Sequence, residues 1–364
     1  MVSSKAERFQ LRRGVAMARW KFRGVVVVCG MALLLQGMMA RAATAHDEAP
    51  VAAPVAEIFA PGVISGPAND GSPTFSPDGN TLFFTRSTAN WGMILESHRV
   101  QGQWSEPERA PFSGEWPDSS PSMSPDGKFL VFQSTRPAEP LRPDQMPKEG
   151  QPMPGVVSNL WRVDRVGDGW GKESWGKPVR LADAVNIGKS IWKPSVAADG
   201  TIYLTVIDEK GGKRLYSARW KDGVYERAQP LSFSDGSTGD VDPEIAPDQS
   251  FLVFVSSGRL KGDAKDHLFI TLREGEGWGP VTAIRYAGDD KYGFSTDDEP
   301  HLGPSLGPDR RTVYFSSDRA APVHFPRTME QAERDLKRLE SWDNSNSNVW
   351  SLPLGSWLKD GARM

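Results

Sequence analysis

Four aspartates stand just ahead of strand-like runs: Asp70, Asp118, Asp240 and Asp242. Two carboxylates facing each other across a pocket at roughly 5–10 Å can hydrolyse a glycosidic bond. The same acids can instead be held by cations. Arg136, Arg259 and Arg319 supply them, in the settings Ser134-Thr135-Arg136, Ser257-Gly258-Arg259 and Ser317-Asp318-Arg319. Repetition favours a structural Arg–Asp device, because a unique catalytic centre needs no copies. The functional use of such groups is a polar ring that binds sugar hydroxyls or a peptide. Trp91, Trp116, Trp192 and Trp342 stand off any repeat, in connections between strands, and could stack on sugar rings or peptide side chains. His301 beside Asp297, Asp298 and Glu299 offers oxygen ligands of the kind calcium uses, but the spacing is not that of an EF-hand, and no metal is expected. Gly-x-Ser-x-Gly, His-Glu-x-x-His and phosphate-loop patterns are absent from the chain. The balance favours a binding protein over an enzyme, with no cofactor.

A repeated block must position these residues. It reads Pro73-Thr-Phe-Ser-Pro-Asp78-Gly79, then Pro121-Ser-Met-Ser-Pro-Asp126-Gly127. It returns at Pro194 to Gly200, Pro243 to Gln249 and Pro304 to Arg310, so the leading prolines lie 48, 73, 49 and 61 residues apart. Each block precedes a β-branched and aromatic run such as Phe129-Leu-Val-Phe-Gln133 or Phe251-Leu-Val-Phe-Val255. The Pro-Asp-Gly between is a tight-turn signal, with Gly admitting positive φ. A third strand and a Trp- or Tyr-bearing fourth follow: Trp104, Trp175, Tyr225 and Trp278. Four antiparallel strands per unit make a propeller blade. Five first-to-third sets meet only four internal fourth strands. Glu57-Ile58-Phe59 supplies the fifth by pairing near Asn348 to Leu352, which closes the ring and removes a sheet edge. The expectation is an all-β, five-bladed propeller over 55–357, with six blades as the alternative.

The Pro-x-x-Ser-Pro-Asp-Gly block followed by a Phe/Tyr-rich strand resembles the WD40-like β-propeller repeat of TolB-type proteins, over about residues 55–353. The resemblance implies a non-enzymatic binding or scaffold module for an envelope protein or glycan. A glycosidase or lyase with axial carboxylates is the alternative. The second-to-third and fourth-to-first connections open on one face, opposite the Pro-Asp-Gly turns. That face carries a Pro-rich insertion, Pro137 to Val157, and a longer one, Ala320 to Asn346, with a helix expected over Met329 to Leu339. Such insertions are where binding residues concentrate.

The chain has 364 residues, 38% of them hydrophobic, with a formal charge of −3. Gly 36 and Pro 29 are too numerous for a helix bundle. Residues 1–42 carry +7, and the remainder −10, which disfavours a nucleic-acid partner. Lys21 and Arg23, the apolar run Gly24 to Met39 and Ala40-Arg41-Ala42 read as a secretory signal over 1–42. The run is shorter than the roughly 20 residues that span a bilayer. A linker over 43–54, a tail over 358–364, a periplasmic or secreted location and a monomer complete the expectation. The single cysteine, Cys29, lies inside the apolar run, so disulfides and Cys-ligated zinc drop out of the mature chain.

Overall fold

A computed structural model describes residues 54–89, 91–139, 157–167, 169–286, 302–321 and 323–358. The signal and linker expected over 1–54 fall almost wholly outside the described residues, as do most of the insertion Pro137 to Val157, the segment Asp297 to Glu299, and the tail.

The chain first makes β1 (Glu57–Ile58), which waits for the last sheet. The first blade is β2 (Asn69–Phe75), β3 (Thr81–Ser87) and β4 (Gly92–Val100). Along β4 lie the tight β5 (Gln103–Trp104) and then β6 (Glu108–Arg109). The second is β7 (Asp118–Met123), β8 (Phe129–Ser134), β9 (Asn159–Asp164) and β10 (Val179–Arg180). The third is β11 (Ser190–Val196), β12 (Ile202–Ile207) and β13 (Lys213–Ala218), then the hairpin β14 (Trp220–Lys221) and β15 (Val224–Tyr225), then β16 (Gln229–Pro230). The fourth is β17 (Gly239–Ile245), β18 (Phe251–Ser257) and β19 (Asp266–Glu274), with β20 (Gly277–Trp278) and β21 (Thr282–Ala283) on its outer side. The fifth is β22 (Leu302–Leu306), β23 (Thr312–Ser317), the helix α1 (Met329–Arg338) and β24 (Asn348–Pro353). Its fourth strand is β1, with Glu57 opposite Ser351 and Ile58 opposite Trp350. Five antiparallel blades result, and the innermost strands touch in sequence around a ring that closes between β22 and β2.

The fourth strands lie downstream of the tryptophans assigned to them. Trp104 and Trp278 belong to short hairpins, and the outer strand follows at 108–109 and 282–283. The tryptophans still pack between blades, as Trp175 does on Phe83 at 5.5 Å and Phe112 at 5.2 Å. Buried side chains form five clusters, each between neighbouring blades. Alternating strand residues thus bury both faces of each sheet, as a ring of stacked blades requires.

The turns carry the repeat's chemistry. Gly79, Gly127 and Gly200 hold φ of +71°, +69° and +86°. Gln249 and Arg310 adopt +60° and +54° in the decayed copies. Ser76 and Ser124 donate to Asp78 and Asp126 within the same turns, at 2.5 and 2.8 Å. The helix in the last insertion forms as expected. Thr328 and Gln331 cap it reciprocally. No helix among the described residues is long and apolar enough to cross a membrane.

Candidate functional site

The innermost strand of each blade is a sheet edge, and edges are blunted by proline and bulges. Here both fall at one step. The register shifts at Ser72-Pro73, Ser120-Pro121, Lys193-Pro194, Asp242-Pro243 and Gly303-Pro304. The residue before each proline has positive φ. Its N–H, released from the ladder, is taken by a neighbouring blade. Ser120 N donates to Thr85 Oγ1 at 2.9 Å, Lys193 N to Gln133 Oε1 at 3.3 Å, Asp242 N to Thr205 Oγ1 at 2.9 Å and Ser72 N to Ser316 Oγ at 3.4 Å. The matching position in the fourth blade is Val255, which cannot accept. Gly303 N turns instead to Asp242 Oδ2 at 2.9 Å.

A second tier of donors lies three residues further on. Met123 N donates to Thr74 Oγ1, Val196 N to Ser122 Oγ and Ile245 N to Ser195 Oγ, at 3.0 to 3.2 Å. Leu306 N donates to Glu244 Oε1 at 2.8 Å. The other Glu244 oxygen meets the ammonium of Lys193, itself 1% exposed, at 3.3 Å. Burial pushes the Asp242 carboxyl up, against the nearby Lys193 charge and the Gly303 hydrogen bond. Lys193, Asp242 and Glu244 are therefore the charged breaks in an otherwise hydroxyl- and amide-based ring. The sequence reading singled out Asp242 and missed Lys193 and Glu244. Aligning the repeats column by column marks both: Lys193 shares its column with Ser72, Ser120, Asp242 and Gly303, and Glu244 stands where Thr74, Ser122, Ser195 and Ser305 otherwise stand. At the turn end the axis opens into a cavity of about 100 Å³ lined by all five blades.

The other aspartates face their own blades. Asp70 accepts from Arg86 Nε at 2.7 Å and from Gly66 N at 2.7 Å. Asp118 takes both oxygens to one Arg136 nitrogen, at 2.8 and 2.9 Å. Asp240 meets Arg259 twice, at 2.6 and 2.8 Å, and Ser256 at 2.6 Å. All three carboxylates are buried. Burial raises Asp70 and Asp118 most, and their arginines pull them back. Arg86 escaped the Ser-x-Arg pattern because it sits in β3, directly opposite Asp70, whereas Arg136 follows the end of β8. Arg319 is buried between the rings of Tyr286 and Trp350, at 5.3 and 5.4 Å.

The four singled-out tryptophans do not share one environment. Trp91 is 53% exposed in the β3–β4 connection, and Trp116 is half-buried between β6 and β7. Trp192 is not in a connection. It lies in β11, packed on the core between the last two blades, with Lys213 over its ring at 5.2 Å. Trp342 is partly buried against Trp350 at 6.4 Å. Of these four, only Trp91 is freely presented. Among the described residues no three His, Cys, Asp or Glu side chains converge as a metal site.

One buried acid lies outside the repeat. Glu96 in β4 stands directly opposite Glu108, and its Oε2 has no hydrogen-bond partner. Burial first, then Glu108, raise its carboxyl to about 7 from 4.5. The unfolded chain therefore gives up this proton before the folded one. Stability falls as pH rises from about 4.5 to about 7, and the loss persists above that. Glu96→Gln is expected to stabilise by about 1–3 kcal/mol at pH 8 and to change little at pH 4.5, in paired urea melts. An equal effect at both pH values would remove Glu96 as the cause.

No family model matches the chain, and no curated protein does. Solved structures similar to it include TolB from Acinetobacter baumannii (TM-score 0.39, 15% identity, 79% of this chain and 54% of that one). The chain thus spans about half the length of that protein. The putative TolB from Agrobacterium tumefaciens matches at TM-score 0.43 and 18% identity, over 72% and 75% of the two chains. The α-L-arabinofuranosidase PaAbf62A from Podospora anserina matches at 0.47 and 10%, over 83% and 96%. The five-bladed assignment rests on the strand pairing itself.

Proposed function

We propose that the chain is an exported, non-enzymatic propeller that binds an envelope protein or glycan at its insertion-bearing face. The observation that carries this reading is the pairing of Asp70, Asp118 and Asp240 with arginines of their own blades. A carboxylate already bonded on both oxygens is poorly placed to protonate or attack a substrate. Asp242 and Glu244 do reach the axis, yet each accepts a backbone N–H of the next blade. That use does not support the glycosidase alternative.

The choice of face rests on the last insertion. Arg338 anchors α1 through the carbonyls of Ala321 and Asp343, and Arg327 pairs with Asp335. Met329 and Leu336 on the helix and Leu339 at its C-cap stay exposed, and the two leucines line a groove of about 350 Å³ together with Arg327, Asp335 and Arg338. A rigidly held helix with an open apolar stripe suits an interaction surface.

The test is recovery of partners from an envelope extract by the parent and by variants of matched stability. Trp91→Ala and Leu336→Glu are expected to weaken capture at least tenfold with an unchanged melting temperature. Asp78→Ala and Asp126→Ala are expected to lower stability by about 0.5–2 kcal/mol through lost turn capping and to leave capture alone. The reverse pattern would place the partner on the turn face and overturn the reading.

A further inference from the structure

On the turn side, a groove of about 410 Å³ runs between the third and fourth blades. Its volume lies within the range of small-molecule sites. Three guanidinium groups line it: Arg219 after β13, Arg227 ahead of β16, and Arg273 near the end of β19. Arg86, Arg136, Arg259 and Arg338 all have carboxylate partners. Arg219, Arg227 and Arg273 have none within ion-pair distance among the described residues. They converge although residues 43–364 carry a net charge of −10.

The floor is rigid. Arg273 lies over the Trp278 ring at 4.1 Å and donates to the Tyr203 hydroxyl at 3.1 Å. That hydroxyl donates to Gln249 Oε1 at 2.8 Å, and Gln249 Nε2 donates to Asp199 at 2.9 Å. Arg273 is thereby fixed with its plane against an aromatic face, which holds its charge in place at little entropic cost. Around it the walls present small polar groups: Thr201, Ser217, Gln229 and Ser232. Glu226 and Glu276 stand at the same groove, so the lining keeps one net positive charge.

We propose that this groove binds a carboxylate-bearing saccharide, a uronic acid unit of a longer glycan. The carboxylate meets Arg219 and Arg227, whose paired N–H donors match its two oxygens, while Arg273, already bonded to Tyr203, adds its fixed charge. The ring hydroxyls meet the hydroxyl and amide walls. Hydroxyl and amide groups outnumber the apolar side chains of the lining, Pro230, Leu231 and Trp278, which is why a sugar is the better fit than an apolar peptide side chain. The site lies on the face opposite the insertions and is independent of the partner surface there.

Calorimetric titration of the full chain with digalacturonate, against its methyl ester, tests the proposal. Digalacturonate is expected to bind at least tenfold more tightly than the ester. Arg219→Gln/Arg227→Gln changes two exposed side chains without ion-pair partners, and is expected to weaken digalacturonate binding at least tenfold at an unchanged melting temperature. Arg273→Gln is expected to weaken it at least as much. Leu336→Glu, on the insertion, is expected to bind as the parent does, which separates this site from the partner surface. Equal binding of acid and ester, parent-like binding by the double arginine variant, or equal binding of an Asp-Glu dipeptide would each overturn the proposal.

Discussion

Deleting residues 55–62 is expected to lower the melting temperature by about 10–20 °C. The segment supplies the whole outer strand of the fifth blade and the bond from Phe59 N to Val349 O at 2.8 Å. It also removes Phe59, whose ring meets Tyr314 at 4.9 Å, Phe75 at 6.1 Å and Trp104 at 6.1 Å. Buried Ala56 goes with it. Losing one packed phenylalanine costs about 3–5 kcal/mol, and the strand bonds add to that. For a domain of this size each kcal/mol moves the midpoint by about 2–4 °C. Differential scanning calorimetry of the deleted and parent chains measures the shift. A midpoint within about 2 °C of the parent would mean that the ring does not depend on its closing strand.

Asp118→Ala is expected to destabilise by about 3–5 kcal/mol, because it leaves the Arg136 guanidinium buried without its counter-charge. Arg136 is only 10% exposed in its side chain and lies over Phe132 and Trp161 at 5.1 and 5.3 Å. Those rings offer partial relief but no hydrogen-bond acceptor for the fork. The double variant Asp118→Leu/Arg136→Met should recover most of the loss, since apolar groups of similar volume often replace a buried pair at little cost. Chemical denaturation of the parent and the two variants decides the matter. Unchanged stability in Asp118→Ala would mean that the pair does not hold the blade.

The blade count was legible because turn chemistry is local. Pro-Asp-Gly announces a turn whatever surrounds it, and the decayed Gln249 and Arg310 copies still take positive φ in the same place. The closing strand was legible by counting, since a fifth outer strand was missing where Glu57 to Phe59 was spare. The roles of individual side chains were less legible, because they depend on register. The bulge at each X-Pro step turns Lys193 and Asp242 toward the axis, and no local pattern in the sequence states that a bulge is there. Trp192 was misplaced for the same reason. It looks like a connection residue by spacing, but β11 begins at Ser190 and packs it, half-buried, against the core. The Asp–Arg device was visible in the blades where arginine follows the second strand, and hidden in the first, where Arg86 is inside it.

The pairing of β1 with β24 also fixes how the ring answers to a pull. The strands are antiparallel, so the residues before Glu57 and those after Pro353 leave from the same end of the pair. Tension applied between them loads the bonds one after another, like a zip, rather than all at once in shear. A ring loaded in this way is expected to open first at this seam, once Leu354 and Leu358 are drawn from the core. The closing strand that secures the propeller against heat is therefore also its mechanical release point.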